Sequence, residues 1–407
     1  MEKKPLEKIS LAFAAFAGLC APLFLVRFGL GELRGNLLDV ALLFSGLIIG
    51  AANLPALRQN FQKNAFFWLG SLFFFLAVCL SWFLGESSPR GLGFIKSFLF
   101  LPISFAFFAA INKKFLFSAI EGMFWGTVLL SLFGICAALK GDFTFDGRLA
   151  YPFSSPNELA LALSPQILIG FFWLRPKPKG RLIQGILYAS LIILLLSTYL
   201  TFSYAAWGAL ALGFLFPFFF SKNKKSLYLV LLAVLAVLFL LAFSQASSSK
   251  GKALWEMSER SSLASRLMIW KASFKIIADH PFFGTGPGSF QETYLSYQRF
   301  FPPYLEWAVP HPHNIFLAVF LYGGMPGLFF FLFVLAISLS NSFYLAKSVP
   351  NKKMAALGAT ILSFYTYFIA IGLFDTPYWR GDLSLGFWLI TAASLLSEAE
   401  KSHKSIR

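Results

Sequence analysis

Apolar runs of about 17–25 residues recur along the whole chain, and each is long enough to cross a hydrocarbon layer of about 30 Å as an α-helix. Twelve can be read: residues 9–28, 37–56, 65–84, 92–111, 115–139, 157–174, 182–200, 203–220, 226–244, 315–338, 354–373 and 383–397. The last is short and only two residues separate the seventh from the eighth, so eleven is the alternative count. The runs are continuous rather than alternating, which argues against strands. Composition points the same way. Of 407 residues, 57% are hydrophobic and 13% charged, whereas soluble domains carry about 25% charge. So little polar surface cannot cover a globule in water, and the expected fold class is an all-α polytopic membrane protein.

The formal charge is +16, from 34 basic and 18 acidic residues. In a soluble protein that excess would suggest nucleic acid. Here Lys and Arg are spread over short loops, where they act as topology signals and meet anionic lipid headgroups, so membrane lipids and not nucleic acid are the expected partners. With the N-terminus inside, the inner segments carry twenty Lys and Arg and the short outer loops carry six: Arg27, Arg34, Arg90, Lys140, Arg148 and Arg380. That asymmetry puts both termini on the cytoplasmic side. The basic stretch Met1–Lys8 precedes an apolar run longer than a signal-peptide core, with no clear cleavage site, so it is expected to be a retained first helix. Cys20, Cys79 and Cys136 all fall in apolar runs without CxxC spacing, which suggests neither a disulfide nor a metal site.

Three regions follow: an N-terminal bundle of about nine helices over 1–244, an outer loop over 245–314, and about three C-terminal helices with a short cytoplasmic tail over 315–407. The loop opens with the polar linker Gln245–Gly251. Leu263, Leu267, Trp270, Phe274 and Ile277 then mark an amphipathic helix over 262–279. His280-Pro281 ends it, because a residue before proline resists the helical region. After the turn Gly284-Thr285-Gly286-Pro287-Gly288 come a second short helix at 289–300 and an aromatic approach (Phe301-Pro302-Pro303-Tyr304, Trp307) to His311. The loop is expected to lie on the outer membrane face.

The chemistry-bearing residues gather around this loop. Three of the four histidines are His280, His311 and His313. His313 sits just before a helix and is followed by Asn314; a neutral imidazole there can take a proton from a hydroxyl. The bland alternative is that His311 or Asn314 merely caps the helix. Arg266 offers a donor fork suited to phosphate oxygens, or is a surface residue of an interfacial helix. Arg148 and Arg299 are weaker candidates of the same kind. Lys96 lies a few residues inside its helix, where charge is a functional candidate unless it snorkels outward; Glu121 is too deep to pair with it. Arg380, between Asp375 and Asp382, could form a surface ion pair. The Gly284–Gly288 turn lacks the ending of a nucleotide-binding loop. With no HExxH, carboxylate cluster or Cys/His set, no metal or cofactor is expected.

Taken in order, these segments resemble the O-antigen ligase/polymerase family of bacterial envelope glycosyltransferases. Arg148 followed by Pro156-Asn157-Glu158 is similar to one signature, and Leu200-Thr201-Phe202-Ser203 to the next. Arg266–Trp270 with His280–Phe290 resembles its outer loop; His313-Asn314 with Gly324 and Gly327 resembles its helix start, and residues 374–390 fit its closing helices. The resemblance implies a donor glycan on undecaprenyl pyrophosphate, with Arg266 and Arg148 holding the pyrophosphate and Asn157, Lys96 and Arg299 as further substrate-binding candidates. It implies that His313 deprotonates or orients an acceptor hydroxyl, with Asn314 positioning the loop, for a metal-independent direct displacement. The acceptor would be lipid A–core on the outer face of the inner membrane, in lipopolysaccharide biosynthesis. A polysaccharide polymerase or a protein O-oligosaccharyltransferase is the alternative within the same chemistry. In one respect the pattern departs: the family usually has arginine where this chain has Tyr204, so another cation (Arg148, Lys96 or Arg299) must serve, or the donor differs. A non-catalytic lipid-glycan transporter is the competing class; it would be expected to show paired halves and interrupted mid-membrane helices, whereas the chain shows a single outer site and no repeat.

Overall fold

The computed structural model describes residues 3–30, 33–85, 89–175, 180–220, 224–245, 262–300, 309–349 and 351–397. The greater part of the polar linker after Gln245 and the aromatic approach at 301–308 lie outside the described residues. So do Lys177, Lys179, Lys222, Lys401, Lys404 and Arg407 of the basic tally.

Fifteen α-helices are found among the described residues. They are α1 (Lys3–Leu19), α2 (Leu37–Ala52), α3 (Leu54–Lys63), α4 (Ala65–Leu84), α5 (Pro89–Ala109), α6 (Lys113–Leu139), α7 (Pro156–Leu174) and α8 (Arg181–Leu200). They continue as α9 (Tyr204–Phe219), α10 (Lys224–Gln245), α11 (Ser262–Asp279), α12 (Phe290–Tyr297), α13 (Ile315–Ser348), α14 (Lys352–Gly372) and α15 (Gly381–Ser394). Among the described residues, eight are long and apolar enough to span a membrane: α4 to α8, α10, α13 and α14. A ninth arises if α2 and α3, bent by 96° at their junction, form one span. Every expected apolar run contains a helix, yet the expected twelve spans are not reached. At 17, 16 and 14 residues, α1, α9 and α15 fall at or below the length that about 30 Å of hydrocarbon requires.

The first helix stops at Leu19 instead of continuing to residue 28. Pro22 cannot extend an α-helix, because it lacks an N–H and clashes with the preceding turn. The chain passes through a 3₁₀ turn, Ala21–Leu25, into an antiparallel hairpin of β1 (Arg27–Leu30) and β2 (Leu33–Asn36). This small sheet was not expected. Asn36 then caps α2, its Oδ1 accepting from the Asp39 N–H at 2.9 Å.

Small residues let helices approach where no hydrophobic effect drives them together. α1 packs along α6, and a Cβ on Gly122 would drive into the Ala15 carbonyl oxygen of α1. α13 packs between α4 and α14, and α9 lies against α14. Polar side chains bond across the helices: the Tyr365 hydroxyl reaches Ser338 Oγ at 2.6 Å and Thr391 Oγ1 at 2.8 Å, joining α14, α13 and α15. By contrast, α10 packs against α9 but leaves almost all of its length exposed, as a lipid-facing helix can.

The loop between α11 and α13 does not simply lie on the bundle. Its turn is buried at Thr285, Gly286 and Pro287 and wedges against α4, α5 and α13. The Thr285 and Gly286 N–H groups donate to the Leu321 carbonyl at 2.8 and 3.1 Å. That carbonyl can accept them because α13 breaks at Gly324, which has φ +65°. The Met325 N–H in turn donates to the Phe282 carbonyl at 3.1 Å, and a Cβ on Gly324 would collide with that same oxygen. The Ser81 hydroxyl of α4 donates to the Phe283 carbonyl.

Close backbone approach makes Gly122 intolerant of even one methyl group. Gly122→Ala should lower stability by about 1–3 kcal/mol, whereas Gly93→Ala, whose Cβ meets nothing within 4 Å, should be neutral or stabilising by up to about 1 kcal/mol. Thermal unfolding of the two variants in detergent checks the contrast.

Candidate active site

Helix ends and loops from four parts of the chain converge near His313. Asn314 caps α13, its Oδ1 accepting from the Phe316 and Leu317 N–H groups at 2.9 and 3.2 Å. Its Nδ2 donates to the Leu373 carbonyl at 3.3 Å, so one side chain both caps the helix and ties it to the loop after α14. Trp270 of α11 supports the preceding residues, its indole N–H donating to the Pro312 carbonyl at 3.1 Å and lying 3.4 Å from that of His313. His313 has φ +49°, an uncommon conformation for a residue with a Cβ. The other non-glycine residue with positive φ among those described, Phe202 at +45°, lies in the α8–α9 connection. Strain of this kind persists only where surrounding contacts impose it.

Asp375 stands opposite His313. His313 Nδ1 and Asp375 Oδ1 are 3.4 Å apart, and the Thr376 N–H donates to the same oxygen at 2.8 Å. Burial by itself would raise the Asp375 pKa. The His313 hydrogen bond and the charges of His313, His311 and Arg266 outweigh it and hold the carboxyl well below its usual range, so it is ionised at neutral pH. His311 packs edge-on to His313, with ring centroids 4.5 Å apart. Burial, reinforced by the neighbouring His313, pushes its pKa down to about 3, so His311 is neutral. One ligand atom from each of His311, His313 and Asp375 lies within 4.8 Å of the others. Sequence spacing gave no hint of such a set, because Asp375 is 62 residues from His313.

Two guanidinium groups share this end of the bundle. Arg266 Nε donates to the Phe374 carbonyl at 2.6 Å and its Nη1 to the Ser262 carbonyl at 3.2 Å. Burial lowers its pKa, while Asp375 acts in the opposite direction. Arg148 Nε donates to the Thr201 carbonyl at 2.8 Å and its Nη2 to Asn157 Oδ1 at 3.1 Å; Asp146 lies 3.5 Å from its Nη1. Burial lowers the Arg148 pKa as well, Asp146 and Tyr204 oppose that, and the charge of Arg266 adds to the lowering. The field of Arg266 therefore reaches Asp375 on one side and Arg148 on the other. Two partly buried cations that repel each other, next to a neutral His311, make a place suited to an anion.

Other candidates are placed elsewhere. Lys96 Nζ pairs with Asp39 Oδ2 at 2.9 Å, and Ser97 Oγ donates to the same oxygen at 2.8 Å, so a partner on α2, and not Glu121, pairs with this charge. Arg299 is exposed, with its guanidinium 4.9 Å from the Phe300 ring, and among the described residues no contact joins it to the His313 cluster. Arg380 forms a buried, not a surface, pair: Nε and Nη2 donate to the two Asp382 oxygens at 2.7 and 2.8 Å, and Nη1 donates to the Glu158 carbonyl at 2.9 Å. His280 closes α11 and is exposed.

Residues 189–332 match the family model described as O-antigen ligase. Over this stretch the chain is similar to the O-antigen ligase family. None of the curated proteins compared with it matches. The matched stretch runs from the middle of α8 into α13 and takes in Thr201–Tyr204, Arg266 and His313; Arg148 and Asp375 fall outside it. The similarity supports, in general terms, a ligase- or polymerase-type function of glycosyltransferase character and lipid-linked glycan substrates. Within the matched stretch, Tyr204 lies within electrostatic reach of Arg148, and its hydroxyl donates to Gln245 Oε1 at 3.3 Å. Asp375 is the residue that sequence reasoning missed. The signal was its place beside Arg380, where it was read, with Asp382, only as a possible ion-pair partner.

The positive φ of His313 predicts an ordering of variants. His313→Gly should be more stable than His313→Ala by about 1 kcal/mol, since both leave Asp375 without its imidazole partner but only alanine retains the left-handed strain. Melting temperatures in detergent report the difference; equal values, or a more stable alanine variant, would mean that the strain is absent.

Proposed function

We propose that the chain transfers a glycan from undecaprenyl pyrophosphate to a hydroxyl acceptor, lipid A–core in the ligase reading, on the outer (periplasmic) face of the inner membrane. The observation that carries this reading is the junction of His313, paired with buried Asp375, and the two guanidinium groups Arg266 and Arg148, within a family of lipid-linked glycan transferases. The loop charge asymmetry supports the outward orientation of this end and a cytoplasmic position for both termini.

The division of labour follows from the contacts. Asp375 accepts the Nδ1 proton of His313, which fixes the tautomer and leaves Nε2 as the acceptor atom for a hydroxyl proton. As the hydroxyl attacks the anomeric carbon, the bond to the pyrophosphate oxygen breaks and negative charge grows on the leaving group. Arg266 and Arg148 stabilise that charge; their hydrogen bonds to the Phe374, Ser262 and Thr201 carbonyls hold the guanidinium groups in position beforehand. Arg148 takes the place that the family pattern gives to the residue at Tyr204. Asn157 orients Arg148. Lys96, engaged with Asp39, and the exposed Arg299 have no part in this scheme. Protons and charge balance with the protein's own groups.

Arg266→Ala should reduce glycan transfer about 10²–10³-fold with membrane insertion unchanged; normal transfer removes Arg266 from the site. His313→Ala should lose about 10²–10⁴-fold, and an active His313→Ala enzyme excludes the general base. Asp375→Asn should lower kcat more than it raises KM, because it disturbs the tautomer rather than donor binding. The surface glycans of a deletion strain separate the acceptors. Loss of polymer from the lipid anchor with undecaprenyl-linked polymer retained identifies a ligase, and accumulation of single repeat units identifies a polymerase.

A further inference from the structure

His311 has no task in the transfer scheme, yet its Nδ1 is buried without a hydrogen-bond partner among the described residues. Buried polar nitrogens seldom lack a partner, and each one needs a reason. His313 and Asp375 lie close by, with one ligand atom from each of the three residues inside 4.8 Å. We propose that His311, His313 and Asp375 form a binding site for a divalent transition-metal ion of zinc's ligand preference, and that its occupancy switches off glycan transfer. The second half rests on the function proposed above; the first does not.

Ligand chemistry selects the ion. Two imidazoles and one carboxylate suit zinc and its first-row neighbours, whereas magnesium and calcium favour oxygen-only shells. A tetrahedral site with bonds of about 2.0–2.1 Å has ligand–ligand edges of roughly 3.3 Å. His313 Nδ1 and Asp375 Oδ1 already stand 3.4 Å apart. Drawing in the widest pair, at 4.8 Å, requires a movement of roughly 1.5 Å, within reach of side-chain rotation. Supporting contacts are built in: the Thr376 N–H fixes the Asp375 carboxylate at 2.8 Å, and Trp270 holds the Pro312 carbonyl between the two histidines at 3.1 Å. Outer contacts of this sort orient metal ligands. With three protein ligands, a fourth position stays open to water.

Inhibition follows from the valence of imidazole. A neutral ring bound to a metal through one nitrogen carries its proton on the other. His313 then has no lone pair left for the acceptor hydroxyl, whichever nitrogen binds. The metal also captures the carboxylate that would otherwise fix the ring. His311 thus turns a proton-accepting pair into a three-ligand metal site.

The test uses the purified full-length protein in detergent and metal-free buffer. Calorimetric titration with Zn²⁺ should give one equivalent per chain, unaffected by a thousandfold excess of Mg²⁺. His311→Ala should weaken binding at least about tenfold, the scale on which even outer-shell partners act, and His280→Ala should leave it unchanged. Co²⁺ added to the wild type should show the visible absorption of a low-symmetry site with mixed nitrogen and oxygen ligands. That measurement, with Asp375→Asn as a second variant, covers the case in which His311→Ala fails to fold. Absence of stoichiometric binding, or full binding by both folded variants, overturns the site. In transfer assays Zn²⁺ should inhibit the wild type, a chelator should restore activity, and His311→Ala should remain active at zinc levels that stop the wild type. Binding that leaves transfer untouched overturns the switch. Failure of the metal-free wild type to transfer any glycan counts against the proposed function, and the binding results stand apart from it.

Discussion

An apolar environment offers no water to backbone N–H and C=O groups, so every departure from helix must be satisfied by protein. This chain concentrates its departures at one end: residues 200–203, 281–289, 309–314 and 373–380 are all irregular or sharply turned there. Side chains and neighbouring backbone meet the resulting carbonyls. Arg148 bonds to Thr201, Arg266 to Phe374, Trp270 to Pro312, Arg380 to Glu158, and the Thr285 and Gly286 amides to Leu321.

The same contacts prepare the site. A guanidinium bound to a carbonyl keeps its charge and loses its freedom, so an arginine needed to hold irregular backbone is already positioned for an anion. Burial disfavours each charge taken alone but strengthens the interactions between them. Asp375 shows the balance: burial acts against its ionised form, and the surrounding histidines and Arg266 more than compensate. The break at Gly324 belongs to the same logic, since it frees the carbonyl that receives the buried turn and thereby anchors the loop that bears Arg266.

Much of this was legible in the sequence because hydrocarbon thickness and hydrophobicity act locally. The run 65–84 coincides with α4, and the loop helix expected at 262–279 coincides with α11. Pro22 was equally visible but was outweighed by the apolar residues on either side, which is why the first helix was expected to run nine residues beyond Leu19. The loop was harder to read. Gly284–Gly288 declared itself a turn, but nothing near it revealed Gly324 as its receptor, because their complementarity lies between two backbones. Lys96 was flagged correctly as a charge within a helix, while its partner Asp39 lies on a helix 57 positions earlier in the chain.

The sequence by itself determined a helical fold with several membrane-spanning segments and the position of most of its helices, and it singled out His313, Arg266 and Arg148 as candidates. Those features follow from apolar length, charge placement and motif order, all of which are read along the chain. Only the tertiary structure decided which of these residues share a site. Asp375 faces His313, Arg266 acts electrostatically on Arg148, and Lys96 is paired with Asp39, because helix packing sets distances between residues far apart in sequence. An imidazole becomes a directed base, and a guanidinium a fixed cation, only through partners that packing brings to them.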